Sequence, residues 1–342
     1  MVDDVVQKQR QNFIENPAYI FNSFTIDWLR FSVLTHGFDS VCALFDVSIS
    51  PEDWMDGRRY GYDFFTMPIE GVIVAAEGLP GEFGLPGDRF IVDMSGNGLA
   101  YFFSRHEAWA DMRSFFQWLV GLPGMKVNRL DIALDCRERR WMTVRKVNNY
   151  FHQGRIRARW SRKTQNYMKG GRGETFYWGS REGDSFLRVY DKRAEQLSRG
   201  VDEAELPPFW TRLELELKGQ TATVAATKLH GLGVSSSSLA GIVRGFVEFL
   251  AADSSSKQRA GPVDWWKRLL KDAEAVPIRL PKRVKSLYKT SQWVRRQVSP
   301  SLAMLTEASE GDVTWFYESL ADGRERLRPD QWAMIETFIH GG

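Results

Sequence analysis

A single tyrosine lies between two cations in a segment with the pattern of a β-strand. The segment Ser185–Lys192 reads SFLRVYDK. Because alternate side chains of a strand share a face, Arg188, Tyr190 and Lys192 are expected to lie on the same side. A nearby positive charge favours the phenolate form of tyrosine, and its oxygen can act as a covalent nucleophile. An isolated pattern of this kind is more often a surface tyrosine that packs against the stems of its basic neighbours.

Acidic residues recur at alternate positions in two further strand-like segments, 128–135 (NRLDIALD) and 210–218 (WTRLELELK). The charged face of the first would carry Arg129, Asp131 and Asp135, and that of the second Arg212, Glu214, Glu216 and Lys218. If the strands are neighbours, four carboxylates gather in a small area, where they raise one another's pKa unless a cation lies among them. Oxygen ligands without a histidine or cysteine cluster favour Mg²⁺ or Mn²⁺. The alternative is an ordinary sheet with a charged outer face.

Two stretches, 155–172 and 279–296, are rich in Lys and Arg and contain no acid. Aromatic residues are interleaved with the charges, namely Trp160, Tyr167, Tyr288 and Trp293. Basic side chains neutralise phosphates and exposed rings stack on bases, so the mixture favours a nucleic-acid surface over two merely solvated faces. Together with an acidic cluster and a tyrosine, it points to metal-assisted transesterification of a phosphodiester. The metal would polarise the phosphate, the tyrosine would attack it, and a sugar hydroxyl would leave.

Composition limits the class of protein to which this chain can belong. Of its 342 residues 43% are hydrophobic, and the formal net charge is only +3, which excludes disorder as the main state. No apolar run approaches the roughly 18 residues of a membrane helix, and the start of the chain lacks an apolar signal core. Two cysteines form neither a disulfide framework nor a zinc set. We therefore expect a soluble, cytoplasmic, globular protein without a membrane partner.

The sequence pattern predicts an α+β fold with antiparallel sheets and a mostly helical C-terminal region. The expected strands are 26–33, short runs within 60–103, 127–135, 156–160, 175–178, 186–190 and 210–218. The expected helices are 106–120, 143–151, 192–198 and 221–230, with further helices after about 238. We expect a lead-in at 1–22, a catalytic and DNA-binding domain at 23–250 with sub-halves 23–122 and 123–250, and a basic helical region at 251–342.

Three of these segments resemble the replication initiation factor family, whose members include rolling-circle initiators of plasmids and filamentous phages and related conjugative relaxases. They are RLDIALD at 129–135, FYWGSREGDSFLRVYDKRAEQ at 176–196 and WTRLELELK at 210–218. Weaker support comes from IDWLRFSV at 26–33, the tyrosines at 60–62 and DMSGNGLAYF at 93–102. The resemblance spans about residues 26–250. It implies two α/β halves whose antiparallel sheets form a curved DNA-binding surface.

The resemblance also implies a function, the initiation of rolling-circle DNA replication by site-specific nicking of origin DNA. Tyr190 would be the nucleophile and form a 5′-phosphotyrosine, while Arg188 and Lys192 would stabilise the phenolate or the pentacoordinate phosphate. The acids of the flanking strands would bind the metal. Asp131 and Glu214 rank first, because each follows its strand's arginine by two residues, and Asp135 and Glu216 complete the set. The DNA-binding candidates are Arg129, Arg155, Arg157, Arg159, Arg162, Lys163, Arg212, Lys282, Arg283 and Lys285.

The expected partner is origin DNA, as a single strand or an extruded duplex, with a host helicase and a second copy of the chain as further candidates. Two other functions stay open. A conjugative relaxase would use the same chemistry for transfer, and a DNA-binding regulator could keep the fold without catalysis. Asp191 follows the tyrosine and is expected to point off the catalytic face.

Overall fold

The computed structural model describes residues 23–45, 51–79, 85, 87–105, 112–139, 141–170, 173–251, 260–271, 273–278, 290–291, 293–329, 331–332 and 335. The chain divides into two compact units, residues 1–280 and 281–342. Within the described residues, none of the helices is both long and apolar enough to cross a bilayer.

The first unit is built on one antiparallel sheet of ten strands. The strands of the chain are β1 (Ser23–Leu34), β2 (Met55–Arg59), β3 (Tyr62–Ile69), β4 (Val72–Ala76), β5 (Arg89–Ser95), β6 (Lys126–Cys136), β7 (Ile156–Ala158), β8 (Gln165–Gly170), β9 (Gly173–Gly179), β10 (Ser185–Asp191), β11 (Thr211–Lys218) and β12 (Val247–Phe249). The order across the large sheet is β2-β3-β4-β5-β1-β6-β11-β10-β9-β8, and β7 pairs with β12 in a separate two-stranded sheet.

The α-helices of the described residues in the first unit are α1 (Phe38–Phe45), α2 (Gly96–Arg105), α3 (Met112–Gly121), α4 (Val144–His152), α5 (Lys192–Ser198), α6 (Gly219–Leu232), α7 (Ser236–Phe246) and α8 (Asp264–Leu269). The second unit contributes α9 (Ser299–Ala308) and α10 (Thr314–Glu325). Side-chain caps fix several starts, since Thr143 accepts from the amide of Lys146 and Asp191 accepts from that of Ala194.

The core lies on one face of the sheet, against the helices. In β6 the side chains of Leu130, Ile132 and Leu134 are fully buried, and the leucines of β11 are buried in the same way. Helix α6 packs on β6 and α7 on β1. Because a slip of one residue would turn these leucines to the opposite face, their burial fixes the register, and the charged side chains must lie on the other face.

The sheet consists of two halves with the same strand order. One runs outward as β1-β5-β4-β3-β2 and the other as β6-β11-β10-β9-β8, and the two meet where β1 pairs with β6. The predicted α+β class with antiparallel strands in two halves is confirmed, and the halves form one continuous sheet. The strand expected at 156–160 is β7, outside that sheet. The helix expected at 106–120 is described from Met112 onward.

Candidate active site

Pairing of β10 with β11 places the predicted tyrosine beside a predicted acid. Tyr190 lies opposite Arg212, and Arg188 lies opposite Glu214. Directly opposite side chains of an antiparallel pair share a face, so all four belong to the same surface of the sheet. The expectation that these two segments are neighbouring strands is confirmed.

The next strand, β6, brings the remaining acids to this face. Asp131 lies opposite Glu216, and Asp135 lies opposite Arg212. The sequence-based ranking treated Asp131 and Glu214 as corresponding positions, whereas the residue opposite Glu214 is Ala133. Equal distance from the arginine of each strand does not imply pairing across the ladder, because the buried leucines set the register.

Tyr190, Glu214 and Arg188 form one hydrogen-bonded group. The Tyr190 hydroxyl donates to Oε1 of Glu214 at 2.6 Å, and Nε of Arg188 donates to Oε2 at 3.0 Å. The guanidinium carbon of Arg188 lies 4.3 Å from the centre of the Tyr190 ring. Tyr190 is only 5% exposed. Its oxygen therefore has a fixed position, next to a carboxylate that can accept its proton.

The tyrosine is a neutral phenol in this arrangement. Burial raises the pKa of Tyr190 well above its ordinary value and the charge of Glu214 raises it further, while Arg212 and Arg188 lower it. The expectation that the flanking cations favour the phenolate is wrong for the net effect, because burial and the nearby carboxylate outweigh them. Attack by this oxygen therefore requires the removal of its proton as the bond forms.

Lys192 lies at the start of α5 and not on the strand with Tyr190. Its Nζ is 2.5 Å from Oε2 of Glu195 and 5.7 Å from the centre of the Tyr190 ring. The alternation ends at Asp191, whose carboxylate caps α5. The prediction that Arg188, Tyr190 and Lys192 share one face of a strand is therefore correct for Arg188 and Tyr190 and wrong for Lys192.

A second charged group lies beside the first. Arg129 donates through Nε and Nη2 to the two oxygens of Asp131 at 2.9 and 2.6 Å, and its Nη2 is 3.2 Å from Oε2 of Glu216. Burial raises the pKa of Asp131 to about 7, against the lowering effect of Arg129, and the charges of Glu216 and Glu214 raise it further. Burial is therefore the main reason why Asp131 holds its proton more readily than an ordinary aspartate, although a guanidinium is paired with it.

The chemistry of this donor set fits a divalent cation that prefers oxygen ligands. Asp131, Glu214 and Glu216 supply carboxylates from adjacent strands. Each now has a basic partner, and no group of three or more His, Cys, Asp or Glu side chains converges on one point among the described residues. A metal would therefore take the place of guanidinium groups that now neutralise these acids.

Asp135 has a different environment from the other three acids. Its two oxygens accept from Nε and Nη2 of Arg212 at 2.7 and 2.8 Å, and Oδ1 also accepts from the indole of Trp210 at 2.6 Å. The Nη1 of Arg212 donates to Asp27 at 2.7 Å. Both oxygens of Asp135 are thus taken up by a buried ion pair beside Tyr190.

A cleft of about 410 Å³ opens beside two of the predicted acids, Glu214 and Glu216. Its lining is mostly basic and consists of Arg30, Asn128, Arg129, Arg181, Phe186, Arg188, Glu214, Glu216 and Lys218. The candidate list from the sequence lacked Arg30 and Arg181. Both lie within segments that carry the family resemblance, so the resemblance was the signal that could have identified them. Arg181 lies over the rings of Tyr177 and Phe186, at 5.5 and 5.4 Å from their centres.

Comparison with known proteins shows the family to which this chain belongs. The family model described as replication initiation factor matches residues 125–320, more than half of the chain. The chain belongs to the replication initiation factor family. Among the related proteins is "Putative DNA relaxase NicK" of Bacillus subtilis (strain 168), which is 24% identical over 318 residues, covering 90% of this chain and 86% of the relative. The rolling-circle replication initiator protein of Geobacillus stearothermophilus shares the fold, with a TM-score of 0.57 and 18% identity over 76% of this chain and 99% of that one.

In this member of the replication initiation factor family, arginines of the first basic run hold the protein together. Arg159 donates to the backbone oxygens of Gly245 and Ile278 at 3.2 and 2.8 Å, and its guanidinium lies over Phe246. Similar bonds to backbone oxygens join Arg155 to Leu250 and Ala251, Arg157 to Ala260, and Arg162 to Phe151. The charges in the sequence could not reveal these contacts, because backbone oxygens accept the guanidinium hydrogen bonds and no carboxylate is needed.

The same run lies on the helical face of the sheet. Trp160 packs against Trp178 of β9, whose partner across the ladder is Leu187. Arg188, the next residue of β10, points to the opposite face, toward the cleft. The structure therefore does not bring Arg155, Arg157, Arg159 or Arg162 to the tyrosine. Arg157, Arg159, Arg162 and Lys163 are exposed and Arg155 is half-buried. The candidates Lys282, Arg283 and Lys285 lie outside the described residues.

We expect Arg159→Ala to destabilise the protein without changing its electrostatic attraction to DNA. Loss of two hydrogen bonds from a guanidinium to backbone carbonyls, one exposed and one partly buried, should lower the free energy of unfolding by about 0.5–1.5 kcal/mol. Thermal denaturation measures this loss, and the slope of log affinity against log salt measures the phosphate contacts. Lys163→Ala serves as the control for a nearby exposed cation and should leave stability unchanged. A reduced salt slope with unchanged stability in Arg159→Ala would contradict the structural role.

Proposed function

We propose that this protein is a metal-dependent nickase that cuts one strand of origin DNA and becomes joined to it through Tyr190. The observation that carries the proposal is the buried Tyr190 hydroxyl, 2.6 Å from Glu214 at a basic cleft. Membership of the replication initiation factor family supports DNA as the substrate. The cleavage would leave a free 3′ hydroxyl that can prime synthesis.

The residues suggest how the protons move. As Oη of Tyr190 bonds to phosphorus, its proton passes to Oε1 of Glu214, and the bond from phosphorus to the 3′ oxygen breaks. The 3′ oxygen takes a proton from solvent, and the 5′ phosphate stays on the tyrosine. A general base matters here because burial keeps the phenol protonated. Such a base typically contributes about 10²- to 10⁴-fold to a rate.

The two arginines would have separate tasks. Arg188 lines the cleft and pairs with Glu214, so it can turn to the phosphate once that carboxylate accepts a proton. Arg212 is held by Asp135 and Asp27 and would remain a fixed positive charge beside Tyr190. Arg212 would thus be in place before charge develops on the phosphate, whereas Arg188 would reach the phosphate as that charge develops.

Mg²⁺ or Mn²⁺ would be held by Asp131, Glu216 and the Glu214 oxygen that now accepts from Arg188. When bound, the metal would supply positive charge that polarises the scissile phosphate. Chelation by EDTA is accordingly expected to stop nicking. A bound cation would lower the raised pKa of Asp131 and favour its carboxylate form.

A conjugative relaxase with the same chemistry is the second candidate function, and the similarity to "Putative DNA relaxase NicK" favours it. A host helicase and a second copy of the chain are partners within either function. A DNA-binding regulator without catalysis is the alternative that the following experiment tests.

Glu214→Gln is expected to slow nicking by about 10²- to 10⁴-fold, because glutamine cannot take the phenol proton. The assay is conversion of a supercoiled plasmid, carrying the element's own origin, to the open circle in Mg²⁺ or Mn²⁺. Binding of the same plasmid should persist. The matched control is Glu216→Gln, whose smaller loss should recover at higher metal concentration if Glu216 acts only as a ligand. Nicking by Glu214→Gln at the wild-type rate would contradict its role as the base.

A further inference from the structure

A second tyrosine, in the N-terminal half of the sheet, makes the same kinds of contact as Tyr190. The Tyr60 hydroxyl donates to Oδ2 of Asp93, and Nε of Arg30 donates to Oδ1 of Asp93 at 2.7 Å. The guanidinium carbon of Arg30 lies 3.9 Å from the centre of the Tyr60 ring. Asp93 is only 3% exposed, so a buried carboxylate again aligns a phenol and an arginine.

The tyrosine of this second group is more exposed to solvent than Tyr190. Tyr60 is 37% exposed, against 5% for Tyr190. It lies between β2 and β3 with φ of 55°, in the left-handed region, which is unfavourable for a bulky residue. The bond to Asp93 and the contact with Arg30 hold the ring at the surface despite that cost.

Asp93 aligns a third side chain as well. It accepts from Nε1 of Trp28 at 2.6 Å, and the guanidinium carbon of Arg129 lies 4.3 Å from the centre of the Trp28 ring. Arg30 and Arg129 also line the cleft. Aromatic and cationic groups therefore alternate from the cleft to Tyr60.

The spacing of the sheet separates this group from the nicking site. Asp93 on β5 is three strands away from Glu214 on β11, or about 14 Å across the sheet at the usual strand spacing. The row that contains Asp93, Arg30 and Arg129 meets β11 at Lys218, four residues from Glu214, which adds about 13 Å along the strands. Both groups lie on the open face, since Arg30 is opposite Asp93 on one side and Arg129 on the other. One extended strand of DNA can therefore contact both groups.

We propose that Tyr60, Arg30 and Trp28, aligned by Asp93, form a subsite that binds one nucleotide of a single strand, away from the phosphate that is cut. A base would stack on the exposed part of the Tyr60 ring, and Arg30 would meet a phosphate. This inference rests on the proposed function, which places the strand in the cleft. Glu214 has Asp131 and Glu216 nearby, whereas Asp93 has the indole of Trp28, so the donor set for metal-assisted attack belongs to Tyr190.

The test is binding of fluorescein-labelled single-stranded oligothymidylates of increasing length, followed by anisotropy, with Tyr190→Phe as the parent protein. The parent should gain affinity once the strand is long enough to reach the subsite. Tyr60→Ala should lose that gain and bind the long strand at least about fivefold more weakly. Tyr60→Phe, which keeps the ring, should stay within about twofold of the parent. Arg30→Ala should lower the slope of log affinity against log salt by about 0.7, the value for one phosphate of a single strand.

Met67→Ala is the matched control, because Met67 is an exposed side chain on the adjacent strand β3. It should bind as the parent does, and the Tyr60 and Met67 variants should keep the parent's melting temperature. Arg30→Ala leaves the buried Asp93 carboxylate without its guanidinium and should melt at a lower temperature, so its salt slope is measured well below that temperature. Equal binding by Tyr60→Ala and its parent, or an equal loss in Tyr60→Ala and Tyr60→Phe, would overturn the stacking role. So would a covalent DNA adduct on Tyr60, which would make this residue a second nucleophile. The binding assay does not depend on cleavage. If Tyr60→Ala weakens binding while the protein with an intact Tyr190 fails to nick the plasmid, the nickase is rejected and the subsite is supported.

Discussion

Replacement of Tyr190 by phenylalanine is expected to abolish nicking while the protein still folds and binds DNA. The variant keeps the ring and loses only the hydroxyl, at a cost in stability of about 1 kcal/mol for one buried hydrogen bond. Removal of a covalent nucleophile commonly lowers the rate by at least about 10⁴-fold. The measurements are open-circle formation from the supercoiled plasmid, and mass spectrometry of the Tyr190 peptide for attached nucleotides after nuclease digestion.

The neighbouring strand β9 offers a matched control for this variant. Tyr177 lies opposite Arg188 on the same face and stacks on Phe186. Tyr177→Phe removes a hydroxyl from the same surface and should change the nicking rate by no more than a few fold. An adduct that persists in Tyr190→Phe would assign the chemistry to another residue, and an adduct lost in both variants would indicate damage to the surface as a whole.

Asp135→Ala is expected to have the largest effect on stability, lowering the free energy of unfolding by about 3–5 kcal/mol. Arg212 would stay buried beside Tyr190 without its bidentate partner, and the indole of Trp210 would lose its acceptor. A buried charge left unpaired costs far more than an exposed ion pair contributes. Chemical denaturation of wild type and variant gives the difference directly.

Two further variants separate this structural role from metal binding. Asp135→Asn keeps an acceptor for Trp210 and should lose less stability than Asp135→Ala. Glu216→Ala, on the same face but more exposed, should change stability by less than about 1 kcal/mol. An Asp135→Ala protein that melts like wild type yet needs far more Mg²⁺ to nick would show instead that Asp135 is a ligand.

The sequence was sufficient to predict on which face of its strand each side chain lies. It was not sufficient to predict which residue of the neighbouring strand lies opposite. Alternation in 129–135 and 210–218 predicted which side chains face the apolar core, because the period of a strand has only two phases. It did not predict that several charged side chains on the opposite face are buried as well. The pairing of Asp131 with Glu216, and not with Glu214, depends on register, which no local pattern contains. The direction of the Tyr190 pKa shift depends on burial by distant residues, so the two flanking cations alone gave the wrong sign.

Other contacts could not be predicted, because neither partner belongs to a sequence pattern that indicates the contact. Arg159 reads as a free cation until the carbonyls of Gly245 and Ile278 lie against it. Tyr60 and Asp93 are 33 positions apart, and their segments belonged to the weaker part of the resemblance. Such pairs are created by the order of strands across the sheet, which local propensity does not specify.

The pairing of β1 with β6 joins the two halves of the sheet and determines whether they can exist apart. Each half would expose an unpaired inner edge if the chain were cut between them, and such an edge readily pairs with another chain. Separately produced halves should therefore aggregate or recombine with each other, and neither should persist as an isolated module. Exchange of parts between relatives would for the same reason have to transfer both halves together.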